Sequence, residues 1–188
     1  MKVTETGLKD CLLIEPQVFG DDRGYFLESY NHQKFAEQTG IDTVFVQDNR
    51  SQSDRGVLRG LHFQKGMYSQ AKLVSVIRGK VLDVVVDLRS DSQTYGQTFS
   101  FILSSENKMQ LFVPRGFAHG FSVLEDQTIF HYKCDNYYYK ESEGGIIFND
   151  PTLNIDWMLE ESEIRLSEKD KELPKLEEIS KESIFKTL

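Results

Sequence analysis

The chain has 188 residues and a formal net charge of −8. Its length fits one domain, and its acidic balance argues against nucleic acid as a partner, because proteins that bind phosphate backbones carry a basic face. The first residues lack the apolar core of a signal peptide, and nowhere do about 18 apolar residues run together. We therefore expect a cytoplasmic protein with no membrane partner, in which Cys11 and Cys134 are reduced thiols.

Short apolar or alternating runs, separated by turn residues, predict β-strands over much of the chain. The ten predicted strands are Leu12–Ile14, Tyr25–Tyr30, Thr43–Val46, Val57–Phe63, Leu73–Ile77, Val81–Leu88, Thr98–Leu103, Met109–Val113, Gly120–Leu124 and Gln127–Lys133. Turn signals such as Gly20-Asp21-Asp22 and Arg78-Gly79-Lys80 lie between them. These strands predict an all-β fold, for which an antiparallel jelly roll, a cupin-like β-sandwich or barrel, is the simplest architecture.

Helix signals are few. Asn31 is predicted to cap a short helix that runs through Thr39 and stops at Gly40, and Ser167 is predicted to cap another that begins at Glu168. The tail, residues 159–188, is rich in Glu and Lys of mixed sign. We expect this tail to pack as helix and loop on a single domain that spans residues 1–188.

The segment Gln47 to Gln64 holds amide groups, cations and one histidine within a strand-like run. Arg59 offers a planar fork for oxyanions, and His62 offers a proton acceptor that works near neutral pH. In a regular strand these two side chains would face opposite sides of the sheet. Gly60 can allow a bulge that re-aims one of them, and bulges concentrate beside active sites. A lone strand histidine is more often structural, but these neighbours favour a functional one.

His119 follows the turn Pro114-Arg115-Gly116, and we expect it to point from a buried strand into a cavity. Two histidines raise the question of a metal site. The sequence contains no His-x-His pair of the kind that cupin-like metal sites use, so we favour a site without metal. Lys72 opens a strand, where it is either a solvated charge or a cation held beside a developing enolate.

Two further residues and one tyrosine run each allow a structural and a functional interpretation. Tyr132 shares a strand face with Phe130 and is either a core residue or a general acid. Asp170 is either the acid of a capping box or the group that fixes an imidazole in one tautomer. The run Tyr137 to Tyr139 lies on a predicted loop, where stacking on a nucleobase and simple surface packing are both open.

Taken together, these segments resemble the dTDP-4-dehydrorhamnose 3,5-epimerase family of dTDP-L-rhamnose biosynthesis. The resemblance covers nearly the whole chain in order. The motifs that carry it are Asp21 to Glu28, Gln47 to Gln64, Gln70 to Val74, Pro114 to Phe121, Tyr132 to Cys134, Asn149 to Pro151 and Ile155 to Trp157.

The resemblance implies a jelly-roll homodimer that needs neither a metal nor an organic cofactor. By motif position His62 is the implied proton acceptor, Asp170 its orienting partner, Tyr132 the proton donor and Lys72 the group that stabilises the enolate. Among the implied substrate contacts, Tyr138 would stack on thymine. The full set of these contacts is Arg23, Glu28, Gln47, Asp48, Asn49, Arg59, His119, Tyr138, Glu143 and Lys169.

The implied substrate is a dTDP-4-keto-6-deoxy sugar, whose keto group acidifies the protons on C3 and C5. A base can remove one of these protons and an acid can return one from the other face, which inverts the carbon. Three alternatives remain open at this point: an epimerase that acts at only one carbon, a ketoisomerase on a related sugar, and a non-catalytic nucleotide-sugar binding protein.

Overall fold

The computed structural model describes residues 1–179, which are mostly β-structure. Their thirteen strands are β1 (Lys2–Glu5), β2 (Leu12–Glu15), β3 (Val18–Asp21), β4 (Gly24–Leu27), β5 (Gln47–Ser53), β6 (Leu58–Gln64), β7 (Lys72–Arg78), β8 (Lys80–Asp87), β9 (Thr98–Ser104), β10 (Gln110–Val113), β11 (Phe117–Val123), β12 (Thr128–Cys134) and β13 (Glu143–Gly145). Short 3₁₀ helices lie at Gly66–Tyr68, Lys140–Ser142, Glu161–Glu163 and Leu176–Glu178.

Eleven of the strands form two sheets that pack face to face. One sheet has six strands in the order β1-β2-β10-β7-β12-β5, and the other has five in the order β13-β6-β11-β8-β9. All neighbouring strands within these sheets are antiparallel. From β5 onward the chain passes repeatedly from one sheet to the other, so the predicted antiparallel jelly roll is confirmed.

The two larger clusters of buried side chains hold these layers together. The central one lies between the sheets and includes Val74, Val85 and Phe130. A second covers the outer face of the five-stranded sheet, where Trp157 and Leu176 of the C-terminal segment pack on β8. The tail therefore contacts the sandwich as far as residue 179, and residues 180–188, the last part of the predicted tail, lie outside the described residues.

Two α-helices occur in the described part of the chain, α1 (His32–Thr39) and α2 (Glu168–Lys171). Both predicted caps are confirmed. The Asn31 side chain accepts a hydrogen bond from the Lys34 N–H at 3.1 Å, and Ser167 accepts one from the Asp170 N–H at 3.2 Å. Gly40 ends α1 with a φ of +73°, which favours glycine. No helix within residues 1–179 has the length and apolarity needed to cross a bilayer.

The strand predictions miss β1, β3, β5 and β13, and one predicted strand is wrong. Thr43–Val46 forms no strand. Its Phe45 packs edge-on against Tyr30 and Phe35 at α1, whereas Val44 and Val46 are exposed. The strand follows directly after it as β5, which is polar throughout and lies at the edge of the six-stranded sheet. An apolar pattern could not reveal such a strand, because its inward side chains face a cavity.

Candidate active site

A cavity of about 570 Å³ opens between the two sheets. His62 reaches it from β6 in the five-stranded sheet, and Tyr132 reaches it from β12 in the six-stranded sheet. A second cavity of about 160 Å³ adjoins the first and shares Asn49, His62, Lys72 and Tyr132 with it. The imidazole and the phenol therefore stand on facing walls of one space.

The predicted bulge at Gly60 is confirmed. The pairing of β6 with β11 shifts register between the His62–His119 pair and the Arg59–Phe121 pair. Gly60 has a φ of +114°, and a Cβ atom there would lie 2.6 Å from the Cα of Gly120 on β11. Because the bulge breaks the alternation of side chains, Arg59 and His62 both line the larger cavity.

His62 is hydrogen-bonded to Asp170 of α2, with 2.6 Å between Nε2 and Oδ1. The Asp170 side chain is only 5% exposed, and that of His62 is 31% exposed. Burial acts to raise the pKa of Asp170, but the hydrogen bond and charge of His62 outweigh it and lower the pKa. An ionised carboxylate on Nε2 fixes the ring and leaves Nδ1 as the nitrogen that can accept a proton from a bound molecule.

Tyr132 and Lys72 project from neighbouring strands of the opposite sheet. The Lys72 Nζ atom lies 5.9 Å from the centre of the Tyr132 ring. Burial raises the pKa of Tyr132, so the phenol keeps its proton at neutral pH and can donate it. Burial lowers the pKa of Lys72, and no ion pair within residues 1–179 involves its ammonium group. This arrangement leaves a cation available for a negative charge that develops in the cavity.

His119 is the cross-strand partner of His62, and it lines the same cavity. Its Nε2 atom lies 2.9 Å from Oδ2 of Asp83 on β8. Asp83 is fully buried, and burial raises its pKa while attraction to His119 opposes the rise. The sequence analysis missed Asp83. A signal was present, because a carboxylate inside the apolar run Val81–Val86 must find a partner when it is buried.

The rim of the two cavities carries most of the other predicted substrate contacts. The Tyr138 hydroxyl donates a hydrogen bond to Glu143 at 2.9 Å, and Lys169 forms an ion pair with the same carboxylate. Burial acts to raise the pKa of Glu143, but these two contacts outweigh it and lower the pKa. Gln47 accepts a hydrogen bond from the Tyr138 N–H at 3.1 Å and donates one to Asn49, also at 3.1 Å.

Three predicted contacts are not brought to the cavity within one chain. Asp48 lies on the opposite face of β5, where the Lys133 ammonium donates to it at 2.8 Å. Arg23 pairs with Asp21 at the exposed turn between β3 and β4. Glu28 forms an ion pair at 2.9 Å with Lys34 of α1.

The structure adds lining residues that sequence reasoning did not select as site residues. Six of them lie within the quoted motifs at positions that no pattern singled out, and three come from the segment 165–167 outside those motifs. The full set is Arg50, Ser51, Val57, Leu58, Gly120, Phe121, Arg165, Leu166 and Ser167. Within residues 1–179, no three His, Cys, Asp or Glu side chains are grouped so that they could hold a metal ion.

Comparison with known proteins agrees with this geometry. A family model described as dTDP-4-dehydrorhamnose 3,5-epimerase matches residues 5–178. The chain is 50% identical over 179 residues to the dTDP-4-dehydrorhamnose 3,5-epimerase of Escherichia coli strain K12, which covers 95% of this chain and 96% of that protein. A crystal structure of the enzyme of the same name from Elizabethkingia anophelis is 58% identical, with a TM-score of 0.91, and covers 94% of this chain and 97% of that one.

A third comparison comes with a bound ligand. The dTDP-6-deoxy-D-glucose-3,5-epimerase of Legionella pneumophila Philadelphia 1, solved in complex with dTDP-4-keto-L-rhamnose, is 46% identical to this chain. Its TM-score is 0.95, and the match covers 100% of this chain and 98% of that one. The chain therefore belongs to the dTDP-4-dehydrorhamnose 3,5-epimerase family.

Proposed function

We propose that this protein is a dTDP-4-dehydrorhamnose 3,5-epimerase. It inverts C3 and C5 of dTDP-4-dehydro-6-deoxy-D-glucose and releases dTDP-4-dehydro-L-rhamnose. Family membership supports the substrate. The structural observation that carries the proposal is the placement of His62 and Tyr132 on opposing sheets around one cavity. Inversion needs a base and an acid on opposite faces of the sugar ring, and these two walls supply them.

In the proposed reaction His62 removes the proton from the carbon beside the keto group. The C–H bond breaks, its electron pair moves toward the carbonyl oxygen, and Asp170 stabilises the imidazolium that forms. Lys72 stabilises the negative charge on the enolate oxygen. Tyr132 then donates its proton to the carbon from the opposite wall, and solvent restores both side chains. The substrate is neither oxidised nor reduced.

The rim would hold the nucleotide. Tyr138 offers an exposed ring for stacking on thymine, and Gln47 and Asn49 offer amide groups beside it. Arg59 and Lys169 offer positive charge at the edge of the larger cavity, where a diphosphate would lie between nucleoside and sugar.

We also propose that the protein acts as a cytoplasmic homodimer. The β3–β4 hairpin exposes Phe19, Tyr25 and Phe26, which are 55%, 61% and 67% accessible, and exposed apolar patches of this kind often mark interfaces. Arg23 lies at the tip of this hairpin, remote from the chain's own cavity. A hairpin that docks on a second copy would bring Arg23 and Glu28 toward the partner's cavity, which would reconcile their exposure with their implied role. Phe26→Arg should therefore produce a monomer by size-exclusion chromatography and raise KM; a dimer with unchanged KM would contradict this.

The function is tested by incubating the protein with dTDP-4-keto-6-deoxyglucose in deuterated water and reading the product by NMR. We expect deuterium at both C3 and C5 and inverted configuration at both. Deuterium at one carbon would indicate a single-carbon epimerase, a displaced carbonyl would indicate a ketoisomerase, and no incorporation would indicate a binding protein. Any of these three outcomes would overturn the proposal.

Two variants separate the acid from the base in the same assay. His62→Ala should abolish deuterium exchange, because no other group is proposed to remove the proton. Tyr132→Phe should retain exchange better than inversion, since the base is intact and the donor is lost. Tyr95→Phe makes the same change at a tyrosine that packs in the cluster on the outer face of the five-stranded sheet and should behave as the wild type. Equal loss of exchange and inversion in Tyr132→Phe would count against its role as donor.

A further inference from the structure

Asp170 reaches His62 on a strap, residues 165–176, that runs from the start of β6 to the end of β13. Within the strap, α2 is a single turn of four residues. So short a helix is not stable by itself, because helix formation needs several turns to repay its first one. The position of Asp170 beside His62 therefore depends on how the two ends of the strap are held.

Backbone hydrogen bonds hold both ends of the strap to the sandwich. At the first end the Arg165 N–H donates to the Gly56 carbonyl at 2.8 Å, and the Leu58 N–H donates to the Arg165 carbonyl at 3.0 Å. At the second end the Ile147 N–H donates to the Pro174 carbonyl at 2.9 Å. The second end is the one closer along the chain to Asp170, so its further contacts bear directly on the active site.

A buried carboxylate, Asp150, makes a further bond to the second end. Asp150 is only 2% exposed. Its Oδ1 atom accepts hydrogen bonds from the N–H groups of Thr152 at 2.8 Å and Leu153 at 3.2 Å. Its Oδ2 atom accepts one at 2.6 Å from the N–H of Leu176, which lies 26 residues further along the chain. One oxygen thus fixes a local turn, and the other fixes the last residue of the strap.

The local turn alone does not account for a charged group at this position. Asparagine serves such a turn as well as aspartate does, because one side-chain oxygen is enough for it. What the carboxylate adds is a second acceptor atom and a stronger, charge-assisted bond to Leu176. Burial acts to raise the pKa of Asp150, but the three N–H bonds outweigh it and lower the pKa. The ionised form is therefore the one that holds the strap.

We propose that Asp150 is a positioning residue for proton abstraction: through Leu176 it fixes the strap where Asp170 can hold His62. This inference rests on the proposed function. When His62 takes the proton from the sugar carbon, its ring becomes a cation that the Asp170 carboxylate stabilises. A strap released at Leu176 lets Asp170 move away from Nε2, so that the cation loses part of this stabilisation. The loss falls on the transition state more than on the bound substrate, whose carbon still holds the proton.

The first test is Asp150→Asn, which separates the two roles of the carboxylate. Its remaining oxygen can still accept from Thr152 and Leu153, whereas the amide nitrogen that replaces Oδ2 cannot accept from Leu176. We expect kcat per folded molecule to fall by about 10-fold, the scale of weakening one charge-assisted hydrogen bond. KM should rise by less, since only Lys169 among the proposed nucleotide contacts lies on the strap. A wild-type kcat in folded Asp150→Asn would overturn the proposal.

A double variant tests whether Asp150 acts through Asp170. Asp150→Asn combined with Asp170→Asn should have the kcat of Asp170→Asn alone, because a strap that carries no carboxylate has nothing left to position. A residue that supports the fold in some other way would instead multiply the two losses. Multiplied losses in the double variant would therefore overturn the proposal.

Two further measurements do not depend on turnover. The chain has four histidines, so nitrogen NMR, assigned with His62→Ala, can report which ring nitrogen of neutral His62 carries the proton. We expect Nε2 alone in the wild type, where Asp170 accepts from it, and both tautomers in Asp150→Asn; one unchanged tautomer would contradict the proposal. By hydrogen exchange, the Leu176 N–H of the wild type should be protected. Exchange at the unprotected rate would overturn the proposal even if Asp150→Asn failed to fold.

Two controls are matched to this variant. Asp156→Asn makes the same change at an exposed aspartate that accepts only a local bond, from the Met158 N–H at 2.9 Å, and it should behave as the wild type. Val81 is fully buried in the central cluster, so Val81→Ala should lower stability but leave kcat and the His62 signal unchanged. If either control reproduced the loss in kcat, the proposal would fail. A wild type without activity on the ketosugar would overturn the proposed function alone, because NMR and hydrogen exchange would still report on the strap.

Discussion

Replacing Asp170 with Asn removes the charge that holds His62 while nearly preserving side-chain shape. The bond is 2.6 Å long and Asp170 is almost fully shielded, so it is a charge-assisted hydrogen bond worth about 1.5–3 kcal/mol. If all of that is lost from the transition state, in which His62 carries a proton, kcat should fall by about 10- to 150-fold. KM should change little, because Asp170 acts on the ring rather than on the nucleotide.

The same variant makes a prediction about stability. The folded-state pKa of Asp170 is lowered, so its charge stabilises the fold above the unfolded-state pKa, and this contribution is lost as pH falls through the folded-state value. Asp170→Asn should therefore unfold at lower urea concentration than the wild type at pH 7, and the difference should shrink toward pH 3. A difference that is unchanged at acid pH would refute the assignment of this stability to the carboxylate charge.

Glu168→Gln is the control for both measurements. Glu168 lies in the same short helix, and within residues 1–179 its side chain pairs only with Lys171 on the exposed face. It should retain wild-type kcat and lose almost no stability, because exposed ion pairs contribute about 0–1 kcal/mol. The reasoning about Asp170 fails if Asp170→Asn stays folded with wild-type kcat, or if Glu168→Gln loses as much.

The remaining predictions concern the thiols and the bulge. Burial raises the pKa of Cys11 to about 12 and that of Cys134 to about 11, so a thiol reagent at pH 8 should label neither in the folded protein and both after unfolding; rapid labelling of the folded protein would contradict this. Gly60→Ala should destabilise the fold by more than about 1 kcal/mol and impair activity, because its Cβ would overlap Gly120. Gly66→Ala, also at positive φ but with open space around it, should cost less in urea unfolding; an equal cost would show that overlap is not the cause.

Local features of this protein could be predicted because their causes lie within a few residues. Asn31 and Ser167 cap helices through contacts three residues away. The bulge could be predicted because Gly60 tolerates a positive φ. It lies between Arg59 and His62, whose side chains have to reach the same cavity. His62 and Tyr132 were found as candidates from the motifs around them, without knowledge of the opposite wall.

Other features depend on which segments meet, and pattern along the chain does not contain that information. Asp170 contacts His62 across 108 residues, and Asp83 contacts His119 across 36. The polar strand β5 is held in the sheet by pairing with β12, not by any apolar alternation of its own. Sequence period determines which side chains share a face, so the sequence by itself determined nine of the thirteen strands, both helix caps and the motif residues. Only the packing of the two sheets decided which faces enclose the cavity. The same packing decided which carboxylates contact the two histidines, Asp170 at His62 and Asp83 at His119.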